Sequence, residues 1–333
     1  SKRGFSIVSQ LVSFDEHIRA YASKAIDWEQ LMMLSARTVR DTEKTLGAVY
    51  TPLWIVEKLI DDSGITSADV IWEPSCGHGA FVIPILERVC GDWSYKQVID
   101  WMNGHLFATD IDARAIDVLR RILVAWVKRT YDVWVDEDVF TSLIVSDALR
   151  WEPPCKIDIA IGNPPYIRFQ NLPDEGREFL SERFVSCLRG NVDIYYAFLE
   201  KAASLASRVS FIVPNAFLKT QSGKALRMLL KERIDVIYDF GERRVFPGVG
   251  TYTALVFLKE KGEGRGLVSS DIGEYERGVP FRVEQERCVP VRRVLGPIAT
   301  LCDKAFLIEK RIEGGRVVFK SPLTGLMVEP ESV

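Results

Sequence analysis

Ile157-Asp158-Ile159-Ala160-Ile161-Gly162-Asn163-Pro164-Pro165-Tyr166 is the stretch that decides the fold. Its first six residues read as a buried strand. The strand must stop at Asn163, because two successive prolines fix φ and offer no N–H to a ladder. The chain then enters a stiff loop at the strand's C-terminal edge. The loop holds one primary amide, one proline carbonyl with no helix or ladder to consume it, and one aromatic plate. Those parts suit a planar ring that bears an amino group.

Outward from this loop the chain alternates. Val70-Ile71-Trp72, Leu106-Phe107-Ala108 and Leu143-Ile144-Val145 read as strands, with helices predicted over 80–89 and 113–131. Downstream, a helix over 192–206 precedes a strand at 209–213, a helix over 223–231 precedes a strand at 236–240, and a strand at 252–258 closes the series. Strands separated by helical crossovers make an α/β, doubly wound, mostly parallel sheet. Seven strands are expected, and the short link before the last permits it to run antiparallel.

Residues 5–45 read as a helical arm that Gly47 ends. Tyr50-Thr51-Pro52 then leads into an amphipathic helix over 54–60, with Thr51 placed as N-cap and Pro52 as the first helical residue. The polar, Gly-rich run Glu260-Lys261-Gly262-Glu263-Gly264-Arg265-Gly266 marks a boundary. The expected organisation is a helical segment over 1–45, the doubly wound domain over 46–260 and a C-terminal extension over 261–333.

Composition narrows the class. With 333 residues, 47% of them hydrophobic and 27% charged, the chain has the makeup of an ordinary soluble protein large enough for a substantial core. It carries no apolar run of membrane-spanning length and no signal peptide, so a cytoplasmic protein is expected. Six cysteines without a CxxC pair, beside three histidines, speak against a zinc site and fit a reducing compartment. The net charge is −3, and residues 261–333 hold 12 Lys and Arg against 11 Asp and Glu. A nucleic-acid surface, if there is one, must be assembled in three dimensions or lie outside this chain.

Four strand tips carry polar groups suited to a ligand. Glu73-Pro74-Ser75-Cys76-Gly77-His78-Gly79-Ala80-Phe81 forms the first strand-to-helix turn. Gly77 and Gly79 either let backbone approach a ligand or serve a tight turn alone; the spacing is not that of a phosphate cradle. Asp110, at the tip of the second strand, suits ribose hydroxyls, while Asp112 suits the N-cap of the next helix. Asp147, at the third tip, can accept from an exocyclic amine or stand as a solvated loop acid. Asn163 ends the fourth. All would lie on one C-terminal sheet edge, where α/β sheets bind ligands.

This order of motifs resembles the γ-group DNA adenine-N6 methyltransferases, the Eco57I-like and TaqI-like enzymes of type II restriction–modification, across residues 43–260. The similarity is carried by Gly47-Ala48-Val49-Tyr50-Thr51-Pro52, Glu73 to Gly79, Asp110-Ile111-Asp112, Ser146-Asp147-Ala148 and Asn163-Pro164-Pro165-Tyr166. Further on it includes Asp193 to Ala202, Phe211-Ile212-Val213-Pro214 and Val245-Phe246-Pro247. Ile298 to Leu307 is similar to the opening of the family's target-recognition region.

The resemblance implies a Rossmann-like methyltransferase domain and S-adenosylmethionine as cofactor. Tyr50, Thr51 and Pro52 would hold the methionine end. Glu73, Ser75, Cys76, Gly77, Gly79 and Phe81 would line it from below, with Asp110 and Ile111 at the ribose. Asp147 would read the adenine ring, with Ala148 and Pro165 packed on it and Asn163 alongside. Asn163, Pro164, Pro165 and Tyr166 would act on a flipped-out adenine in double-stranded DNA, with Phe246 at its other face or buried under the last hairpin. A cognate restriction endonuclease is the implied partner. Three alternatives keep the Asn-Pro-Pro-Tyr loop: a methyltransferase of a protein glutamine amide, one of an RNA base, and a non-catalytic DNA-binding specificity subunit.

Overall fold

The computed structural model describes residues 14–42, 51–188, 192–243, 245–246 and 250–269, with short strands at 289–290, 309–313, 316–320 and 327–328. The chain packs as two compact units, one formed by Ser1–Ile167 with Leu205–Phe211, the other by Arg168–Ser204 with Ile212–Val333.

The first unit opens with α1 (Phe14–Ala22) and α2 (Trp28–Thr42), then α3 (Leu53–Ser63). The expected single helix over 5–45 is broken at Ser23–Asp27, where Lys24 takes a left-handed φ of 65°; its ends, and Gly47, lie outside the described residues. Next come β1 (Ile71–Glu73), α4 (Val82–Cys90), α5 (Tyr95–His105), β2 (Leu106–Asp110), α6 (Ala113–Tyr131), β3 (Leu143–Val145), β4 (Ile157–Gly162) and β5 (Ala206–Pro214), of which residues up to Phe211 belong to this unit. The strands stand side by side in the order β3-β2-β1-β4-β5. All four pairings are parallel, with Ile71 facing both Leu106 and Ile159, Asp110 facing Val145, and Gly162 facing Phe211. The order runs outward from β1 in both directions. The C-terminal ends of β1 and β4, where the crossovers diverge, are therefore where a sheet of this order binds its ligands.

Burial explains the strand types. Ile71, Trp72, Ile157, Ile159, Ala160 and Ile161 are fully buried, as a parallel strand covered on both faces requires. Trp72 donates through Nε1 to Thr109 Oγ1 at 3.2 Å and stacks on Trp151 with ring centres 5.6 Å apart. The edges are tied by side chains: Asp158 accepts from Val70 N at 2.9 Å, and Arg208 donates to Ser63 O at 2.8 Å.

The second unit contains α7 (Asp174–Arg183), α8 (Tyr195–Leu205), α9 (Lys224–Leu230), β6 (Ile234–Asp239), β7 (Thr253–Leu258), β8 (Leu267–Ser269) and β9 (Val289–Pro290). Their strands lie in the order β7-β6-β8-β9. β7 runs antiparallel to β6, as its short link permits, while β8 pairs parallel to β6. β8 and β9 are two strands more than the seven expected. The chain crosses the Gly-rich run at 260–266 within this unit: Gly262 N donates to Glu232 O, and a Cβ on Gly264 would stand 2.3 Å from Ile234 O. Gly264 thus permits a close backbone approach, while Gly262 takes a φ of 86° with open space beside it. A separate antiparallel sheet joins β10 (Glu309–Glu313), β11 (Arg316–Lys320) and β12 (Met327–Val328). Residues 298–307, with their similarity to a recognition region, lie outside the described residues.

Candidate active site

The turn after β1 is built from backbone. Cys76 N donates to Thr109 O at 3.0 Å and Gly79 N to Cys76 O at 2.8 Å, while Gly77 and Gly79 adopt φ of 50° and 87°. Such angles are routine only for glycine. A Cβ on Gly77 would meet nothing within 4 Å, so its backbone borders open space.

Asp110 reaches this turn from β2. Its Oδ2 accepts from Gly77 N at 2.8 Å and its Oδ1 from Asp112 N at 2.9 Å. Burial raises its pKa, and the two N–H groups oppose that rise. Asp112 caps α6 through Arg114 N, as its position predicts. Ile111 between them is 65% exposed, an apolar side chain held at a strand tip. At the third tip, Asp147 Oδ1 accepts from Leu149 N at 2.9 Å and Oδ2 pairs with Arg150 Nε at 3.3 Å; Ala148 is buried.

Glu73 closes β1 and is 1% exposed. Its Oε2 is buried without a hydrogen-bond partner among the described residues. Burial pushes its carboxyl well above the ordinary range, and the charge of Asp110 adds to the rise. The Cys76 thiol is raised by the same burial and the same two acids. Phe81, at the start of α4, is fully buried.

The Asn163 loop faces this turn. Ser75 Oγ donates to the Asn163 carbonyl at 3.0 Å, linking the loops after β1 and β4. Asn163 Nδ2 donates to Thr51 Oγ1 at 3.0 Å. Thr51 is therefore not the expected N-cap: Pro52 occupies that position, without a side-chain cap, and the threonine hydroxyl serves the loop instead. The Asn163 amide nitrogen thus turns toward Thr51, and its oxygen is the other arm. Pro164 is buried, Pro165 and Tyr166 are half-buried, and burial raises the tyrosine hydroxyl's pKa.

The first unit thus brings together the expected residues of all four strand tips with Thr51 and Pro52. Tyr50 lies outside the described residues. Phe246 belongs to the second unit and is 1% exposed there, which is the core placement weighed beside its stacking role. Two contacts had no signal in the sequence: the Thr51 bond to Asn163, and a bond between Ser35 Oγ and His78 Nδ1 in the turn after β1.

This strand order, with a glycine turn after the first strand and acids at the next two tips, defines a Rossmann-like fold. Residues 104–246 match the family model described as Eco57I restriction-modification methylase. It is 31% identical over 255 residues to the type II methyltransferase M.BanIII of Aneurinibacillus aneurinilyticus, covering 70% of this chain and 42% of that one. It is 25% identical over 231 residues to M.XhoI of Xanthomonas vasicola, covering 64% and 42%. The chain thus spans less than half the length of these relatives. Among solved structures, the DrdV–DNA complex aligns with a TM-score of 0.56 at 16% identity, over 78% of this chain and 30% of that one. The type IIG restriction endonuclease BpuSI aligns with a TM-score of 0.52 at 18% identity, over 78% and 29%. At these identities the likeness shows the fold alone.

Proposed function

We propose that the chain is the catalytic part of a site-specific DNA methyltransferase that moves a methyl group from S-adenosylmethionine to N6 of an adenine turned out of duplex DNA. One observation carries the reading. Asn163 Nδ2 donates to Thr51 Oγ1, so the amide turns its neutral oxygen the other way, and that oxygen and the Pro164 carbonyl are the acceptors we assign to the base.

The residues fit the cofactor. Glu73 Oε2 is buried without a hydrogen-bond partner among the described residues, and the ammonium of the methionine end would both donate to it and favour its ionised form. Gly77 leaves room for close approach, and Asp110 stands beside it for ribose hydroxyls. Exposed Ile111 offers an apolar surface, and Asp147 a carboxylate for an amine. Pro52, Cys76, Phe81, Ala148 and Pro165 complete the walls. When bound, S-adenosylmethionine supplies an electrophilic methyl group.

The chain's own part is to prepare the nucleophile. The N6 lone pair of adenine is delocalised into the ring. Hydrogen bonds from its two N–H groups to Asn163 Oδ1 and the Pro164 carbonyl draw the nitrogen toward sp³ geometry and aim the lone pair outward. Neutral acceptors suffice to align the amine, so catalysis is positioning plus oriented dipoles; the N6–CH3 bond would form as the S–CH3 bond breaks to leave a neutral thioether, and the surplus N6 proton would pass to solvent. Extruding the base costs a few kcal/mol, and stacking on Tyr166 returns about 1–3 kcal/mol. Double-stranded DNA is then the partner, a cognate endonuclease a second, and the prokaryotic cytoplasm the place of action.

The test is tritium transfer from labelled cofactor to unmethylated duplex DNA, beside an RNA and a glutamine peptide. Label in DNA adenine supports the reading, whereas label only in RNA or peptide transfers the same site to a rival substrate. Asn163→Ala is expected to lose methylation by a factor of about 100 or more while keeping cofactor binding by titration, the scale seen when one preorganised hydrogen-bonding group is removed from an active site. Turnover near the parent's would remove Asn163 from the mechanism.

A further inference from the structure

We infer that α1 and α2 set how tightly the cofactor is held, with His78 as the positioning residue through which they act; the inference rests on the methyl-transfer reading. His78 stands between Gly77, whose N–H holds Asp110 Oδ2, and Gly79. Neither glycine brings a side chain, so the imidazole is the handle by which this stretch of the turn can be tied down. Ser35 Oγ of α2 is hydrogen-bonded to His78 Nδ1, and the Phe14 ring of α1 lies 5.8 Å from the imidazole, tilted by 31°. Ser35 is 3% exposed, so water does not compete freely for the bond. Burial lowers the His78 pKa to about 4, which keeps the ring neutral near neutral pH.

α1 and the loop that leads into α2 are themselves fixed to α6. Arg129 Nη1 donates to Tyr21 O at 2.8 Å and to Ile26 O at 2.9 Å, with its guanidinium 4.6 Å from the Tyr21 ring centre. Asp15 pairs with Arg121. A helical arm anchored on α6 therefore offers one hydroxyl to one side chain of the ligand-facing turn. Releasing that clasp frees the Gly77 N–H from its place beside Asp110, and the loss is felt at the cofactor.

Isothermal titration of S-adenosylmethionine decides the matter. Ser35→Ala and His78→Ala are each expected to raise Kd about five- to tenfold, the worth of one buried hydrogen bond. The double variant should be no weaker than the weaker single, because both remove one interaction. His78→Asn places an amide atom where Nδ1 stood and should recover most of the affinity. In ligand-free Ser35→Ala, amide exchange at 76–79 should quicken. Variants that melt earlier yet bind as the parent does, or losses that add, would overturn the inference while leaving the methyl-transfer reading intact. A parent that binds no cofactor would overturn both.

Discussion

At the residue scale, burial sets Glu73 against its own charge. Its folded pKa lies well above the ordinary 4.5, so the stability it contributes is whole below that value and is lost as pH rises toward the folded pKa. Asp110, raised by burial too, works in the same direction. His78, lowered from 6.5 to about 4, works in the opposite one: stability is whole above 6.5 and falls as pH drops toward 4. Glu73→Gln removes the ionisable group while keeping its shape. The ligand-free variant should melt above the parent at about pH 8, with the gain shrinking toward about pH 5, while binding S-adenosylmethionine more weakly. Thermal melts at both pH values with a titration check this; a gain that does not depend on pH would exclude the linkage. Asn163, Asp110 and Asp147 were legible in the sequence because each ends a strand. Their hydrogen bonds were not, since Thr51, Gly77 and Leu149 meet them only through folding.

At the element scale, the strands with continuous apolar runs stood out, and β3, β4 and α6 keep their expected bounds. α5 was missed. Its sequence is mixed, and Gly104 lies near its end, but Ser94 and Gln97 form a capping box that marks its start. Ser94→Ala should cost about 1 kcal/mol and lower the melting temperature by roughly 2–4 °C without moving cofactor affinity. An unchanged melt would mean that the cap contributes nothing in this fold. Thr51 teaches the converse. Thr-Pro before a helix predicts a cap, yet the hydroxyl turns to Asn163, a partner 112 residues away. Local preference for a cap is worth about 1 kcal/mol, and a tertiary hydrogen bond of similar worth can override it.

At the scale of the whole molecule, charge governs the substrate. A net charge of −3 leaves little general attraction for phosphates. The chain alone should therefore bind cofactor but hold duplex DNA weakly. Its log affinity should fall with log salt at a slope of magnitude about 4 or less, reflecting few neutralised phosphates. Fluorescence anisotropy across a salt series measures this, and a slope near 8 or above would show a phosphate surface that the overall charge conceals. Composition also suggested a boundary near residue 260, whereas the second unit runs through it, because β8 pairs with β6. Glycine content alone does not separate a linker from a turn where two backbones meet.

The amino-acid order by itself determined the alternation of strand and helix, the prolines that end β4, and the polar residues at four strand tips. These depend on period, on the missing N–H of proline and on chain direction, all of which are local. Only the tertiary structure decided that β1 lies between β2 and β4, which way the Asn163 amide faces, that Glu73 loses its water, and that Ser35 grasps His78. Each of these depends on groups distant in sequence sharing a buried space, where an unmet polar atom is costly enough to select its partner.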